Sequence, residues 1–125
     1  MSISAKQLIE EAKSKVESVS PEQAQEGLIL DVREPGELTS EGQVDGAIHI
    51  PRGTLEMKAD EHTAAGEARL LEARRAGSTV HVLCASGARA ALAAATLKQM
   101  GYTATVIEGG MGAWKKAGLP VSKPG

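Results

Sequence analysis

The sequence predicts an α/β domain built on a mainly parallel five-stranded sheet with helices on both faces. Short apolar runs rich in Val, Ile and Leu alternate with helix-forming segments along the whole chain. No tight two-residue hairpin joins one run to the next, so each strand is followed by a crossover and neighbouring strands run the same way. At 125 residues the chain suits one domain, and with no Phe, one Trp and one Tyr its core must be assembled from Ala, Val, Leu and Ile.

Taken in order, Ser4 to about Val16 reads as an amphipathic helix. Ser4 and Gln7 have capping-box spacing, and Leu8, Ile9, Ala12 and Val16 recur on one face. Val16–Val19 is the first strand candidate, and Ser20-Pro21-Glu22-Gln23 is a second capping box with proline at the first helical position. Gly27 closes that helix. Leu28-Ile29-Leu30-Asp31-Val32 reads as a buried strand, which Arg33-Glu34-Pro35-Gly36 breaks into a loop. Arg33 and Glu37 stand four apart, the spacing of a pair across one turn that would hold this loop. His49 lies between Ile48 and Ile50 and reads as an outward-pointing strand residue. Arg52 follows that strand and could lean into the same crevice as Asp31.

From Thr54 to Gly77 the chain is helical in character, with Leu55, Met57, Leu70, Leu71 and Ala73 as its buried side and Gly66 as a break. Thr79–Leu83 is the next strand. After a short loop comes an alanine-rich helix that stops at Gly101, and Thr103–Ile107 supplies the fifth strand. Trp114 reads as core, and Gly118-Leu119-Pro120 ends the last helix. The expected organisation is a helix over residues 1–15 packed on a domain spanning 16–121, with a tail over 122–125.

Composition narrows the function classes. A net charge of -2 argues against a nucleic-acid or anionic-membrane surface. The single cysteine excludes an internal disulfide framework, and three scattered histidines give no metal-ligand spacing, so neither metal nor organic cofactor is expected. The N-terminus lacks a basic flank with an apolar core, and no apolar run is long enough to span a bilayer. The expected location is a reducing cytoplasm.

The chemistry is concentrated in Cys84-Ala85-Ser86-Gly87-Ala88-Arg89, between the fourth strand and the alanine-rich helix. A lone buried cysteine is ordinarily a small hydrophobe. Here the strand end, the glycine-bearing loop, the first amides of a helix and an arginine all favour negative charge on the sulfur. In an open parallel sheet the ligand crevice lies outside the carboxyl ends of the strands, where both Asp31 and Cys84 fall.

This loop resembles the six-residue active-site loop of the rhodanese family of sulfurtransferases. Three more stretches match that family's signatures in order: Asp31-Val32-Arg33-Glu34-Pro35 with Glu37, Gly42 to Pro51, and Glu108 to Trp114. One departure is Gln43, where the family usually carries a structural histidine. The resemblance implies a thiosulfate sulfurtransferase in which Cys84 carries a sulfane sulfur as a persulfide. The sulfur would come from a donor such as thiosulfate and pass to cyanide, a small thiol or a protein thiol. Ala85, Ser86, Gly87, Ala88 and Arg89 would bind substrate, with Arg89 gripping the donor's oxygens, while Asp31, Arg33 and Glu37 support the loop. Ser86 reads equally as a hydroxyl donor to the sulfur or as a helix cap.

Two other classes stay open. A cysteine phosphatase or arsenate reductase separates its cysteine and arginine by five residues, whereas here position 90 is Ala and Arg89 comes one residue early. A non-catalytic sulfur-carrier or binding module is the other.

Overall fold

The computed structural model describes residues 2–124; Met1, in the expected N-terminal segment, and Gly125, in the expected tail, lie outside the described residues. Helix α1 (Ala5–Lys15) begins at the Ser4 capping box and leads into β1 (Glu17–Val19), and the Ser20 box opens α2 (Pro21–Ala24). Next come β2 (Leu28–Asp31), α3 (Pro35–Glu41), β3 (Ile48–His49), a 3-10 turn at Arg52–Thr54 and α4 (Leu55–Ala59). The chain continues through α5 (Ala68–Ala76), β4 (Thr79–Leu83), α6 (Ala88–Gln99), β5 (Thr103–Ile107) and α7 (Gly110–Lys116).

The five strands form one sheet in the order β1-β5-β4-β2-β3, and every pairing is parallel. This is the α/β architecture the alternation predicts, with β4 at its centre. The two-residue period of a strand divides the core. Val80, Val82 and Cys84 pack with α1, α4, α5 and α6 on one face, while Leu83 packs with Ala24, Ile29, Ile107, Met111 and Trp114 on the other. Cys84 therefore turns toward α6 because it continues the parity of Val80 and Val82.

Several local expectations need correction. The segment after β2 is a loop only as far as Glu34, because Pro35 takes the first position of α3, where its missing N–H costs nothing. On α1, Ala12 is buried but Leu8 is 45% exposed, and on α4 Met57 is 56% exposed. In the segment expected to be a tail, Ser122 forms an antiparallel bridge with Gln43, the residue standing at the family's histidine position. Trp114 is buried as expected, its indole N–H donating to the Pro120 carbonyl at 3.0 Å. No helix among the described residues is long and apolar enough to cross a membrane.

Candidate active site

Cys84 follows the last residue of the central strand and is 1% exposed. Gly87 then takes φ 120°, a conformation closed to most residues, and this turns the chain straight into α6. The turn aims backbone amides back at the sulfur: the Gly87 N–H donates to Cys84 Sγ at 3.0 Å and the Ala90 N–H at 3.3 Å. Ala90 is the contact that sequence reasoning missed. It was within reach of a simple count, since the first four amides of a helix have no intrahelical acceptor.

The loop is also held from its other side. Met111 N–H donates to the Cys84 carbonyl at 2.8 Å and Gly112 N–H to the Ala85 carbonyl at 3.3 Å. With these carbonyls drawn toward α7, the loop is braced behind the sulfur while the Gly87 and Ala90 amides face it. The approach is so close that a Cβ on Gly110 would collide with Cys84 O and the Ala85 carbonyl group, and Gly110 itself has φ 59°. No local sequence signal marks Gly110 for this task.

Two arginine–carboxylate pairs frame the loop, and they are not the ones the spacing predicts. Arg33 does not pair with Glu37. Its Nε and Nη2 donate to both oxygens of Asp31 at 2.8 to 3.2 Å, and Nη2 also donates to the Gly42 carbonyl at 2.9 Å. Both Arg33 and Asp31 are 1% exposed. Glu37 instead receives Arg89, whose Nη1 and Nη2 donate to its two oxygens at 2.7 and 2.9 Å. Glu37 Oε1 also accepts the Glu34 N–H at 3.0 Å. The Arg89 hydrogen bonds, opposed by partial burial and helped by the Glu34 amide, pull the Glu37 pKa from 4.5 down to about 2. The same contact raises that of Arg89.

Arg52 does not lean toward the cysteine. Its guanidinium donates to Glu56 at 2.9 Å and to the Thr96 hydroxyl at 3.3 Å, about 12 Å along α6 from its first residue. His49 places Nε2 at 2.7 Å from the Arg33 carbonyl and so ties β3 to the loop after β2. Two crevices of about 200 Å³ each flank the cysteine loop. One is lined by Ala85, Arg33, Glu37, Glu41, Met111 and Lys115, and the other by Ser86, Gly87, Lys13 and Glu108 among others. Among the described residues no group of three His, Cys, Asp or Glu stands together as a metal site requires.

The architecture is that of a parallel α/β domain presenting one buried cysteine in an amide-lined loop at the carboxyl end of its central strand. A family model described as the rhodanese-like domain matches residues 7–117, and the chain belongs to that family. A sulfurtransferase of Allochromatium vinosum is 30% identical over 98 residues, covering 78% of this chain and 79% of that one. Among solved structures, a Rhodopseudomonas palustris protein described as of unknown function and a possible tyrosine phosphatase superposes with a TM-score of 0.87. It is 31% identical, with 97% of this chain and 96% of that one covered. The polysulfide-sulfur transferase homodimer of Wolinella succinogenes superposes with a TM-score of 0.69 at 32% identity, covering 95% of this chain and 87% of that one.

Proposed function

We propose that the protein is a sulfurtransferase that carries a sulfane sulfur as a persulfide on Cys84. The observation that carries this reading is the pair of amides, Gly87 and Ala90, directed at a buried sulfur. The Cys84 thiolate attacks the outer sulfur of a donor, a new S–S bond forms, and the donor's own bond to that sulfur breaks. From thiosulfate the leaving group is sulfite; from an organic persulfide it is a thiolate. The amides of Ser86, Ala88 and Arg89 have no acceptor among the described residues, so they remain available to the terminal sulfur and its charge.

Sequestered in this way, the persulfide waits for a thiophilic acceptor: cyanide, a small thiol or a sulfur-accepting protein. With Cys84 as the one cysteine of the chain, no internal thiol can resolve the persulfide, and the acceptor must come from outside. Neither a metal nor a cofactor enters these steps.

Intact mass after incubation with thiosulfate or an alkyl persulfide tests the reading. The wild type should gain one sulfur and lose it to cyanide, while Cys84→Ser should gain none. An unchanged wild-type mass with every donor would favour a non-catalytic module. The description of the Rhodopseudomonas palustris relative motivates a second reading, a cysteine phosphatase. The short loop opposes it, since a phosphoryl group needs donors round all its oxygens. Turnover of an aryl phosphate at the rate of sulfur transfer would reverse that preference.

A further inference from the structure

We infer that Glu37 makes this site select its sulfur donor by charge: by occupying the fork of Arg89 it leaves no guanidinium for a sulfonate, and so favours a sulfane sulfur carried on a group of at most one negative charge. This rests on the persulfide reading of Cys84 and names the donor class for that site.

Four positions of the loop, Ala85, Ser86, Gly87 and Ala88, carry no charge, so Arg89 is the loop's one cation. Both of its terminal nitrogens face Glu37 oxygens. That fork is the arrangement by which an arginine would grip two oxygens of thiosulfate side by side. Glu37 is itself held in place by the Glu34 amide at 3.0 Å, so the first turn of α3 presents the carboxylate to Arg89 already oriented.

The other cations do not replace it. Arg33 lines the crevice on the Ala85 side, but its charge is matched by the buried Asp31 carboxylate, to which Nε and Nη2 donate, and Nη2 also donates to the Gly42 carbonyl. Lys115, exposed on the last turn of α7, faces the same crevice as Glu37 and Glu41. On the Ser86 side, one cation and one anion, Lys13 and Glu108, line the same crevice. A dianion such as thiosulfate therefore meets no excess of positive charge in either crevice. To recruit Arg89 it must break a two-point ion pair and leave the Glu37 carboxylate beside its own sulfonate. An alkyl persulfide, R–S–SH, needs none of this. The thiolate takes its outer sulfur, giving Cys84–S–SH and releasing RS⁻.

The test compares single-turnover sulfur loading of Cys84 from thiosulfate and from an alkyl persulfide, in the wild type, Glu37→Gln and Glu37→Gln/Arg89→Gln. Glutamine keeps an oxygen for the Glu34 amide but releases the guanidinium. The wild type should load faster from the alkyl persulfide. Glu37→Gln should raise the thiosulfate rate relative to the persulfide rate by about 10-fold or more, the scale of one charge-assisted hydrogen bond. The double variant should lose that gain, since the freed arginine is what produces it.

Loading from both donors with a ratio unchanged by Glu37→Gln overturns the charge selection and leaves sulfur transfer standing. Loading from neither donor overturns both. A wild type that loads faster from thiosulfate also overturns the selection, and it does so even if the variants fail to fold.

Discussion

Arg33 and Arg89 each grip a carboxylate with two nitrogens at similar distances, yet one pair lies inside the protein and the other at the rim of the cysteine loop. The Asp31–Arg33 pair is 1% exposed on both sides and adds a further hydrogen bond to the Gly42 carbonyl. The Arg89–Glu37 pair is 38% and 31% exposed. Similar geometry therefore supports different behaviour. A buried pair cannot come apart without stranding a charge in the core, so it fixes the strand ends round the site. A rim pair adds little to folding stability because water solvates both partners once the chain unfolds, so its arrangement can serve the site instead of the core.

The largest effect should come from breaking the inner pair. Arg33→Ala leaves the Asp31 carboxylate buried without its partner and the Gly42 carbonyl without its donor, and should destabilise the fold by about 3 to 5 kcal/mol. Arg89→Ala should cost about 1 kcal/mol or less. Denaturant unfolding of both variants checks the contrast, and equal losses would dissolve it. A stable Arg33→Ala with a defect confined to sulfur loading would move Arg33 from support to substrate contact.

A smaller loss of stability, with a large loss of activity, is expected from Gly110→Ala. The new Cβ would press on the Ala85 carbonyl carbon at 2.6 Å and stand in a left-handed backbone conformation. Strain and displacement together should cost about 1 to 3 kcal/mol. The moved part is the Cys84–Ala85 backbone, so persulfide formation should fall much further than the melting temperature suggests. A variant with normal sulfur loading would show that α7 does not set the loop's geometry, and the contrast between core support and rim chemistry would then rest on the arginines alone.

What could be read from the sequence were features that close within a few residues. Both capping boxes, the strand–glycine–helix passage at Cys84 and the alternation that makes the sheet parallel are of this kind. Arg33 and Glu37 do not pair because four-residue spacing brings side chains together only inside a helix, and Arg33 stands before the Glu34 cap of α3. In an extended segment residues two apart share a face, which gives Arg33 to Asp31. Glu37 belongs to α3, and its partner Arg89 is 52 positions away, beyond any local rule. Gly110 escaped for the same reason: its contact with Cys84 crosses from one strand end to the next, and a glycine pair after a strand announces a turn but not what the turn supports.

The smallest effect sharpens the comparison through pH. The folded Glu37 carboxyl titrates at about 2 against an ordinary 4.5, so the unfolded chain takes up its proton first as acid is added. The contribution of the rim pair is accordingly complete above pH 4.5 and is lost as pH falls from there through about 2. Water screens a pair this exposed, which keeps the lost stability at about 1 kcal/mol or less. Glu37→Gln removes the titrating group, so the difference in unfolding free energy between wild type and variant should shrink between pH 5 and pH 2.5, roughly the window these pKa values define. Added salt should diminish the same difference at neutral pH, because an exposed pair is screened where the Asp31–Arg33 pair is not. A difference that holds constant across that pH range would mean that Glu37 contributes through the Glu34 cap and not through Arg89, and the rim pair would no longer be the labile partner of the buried one.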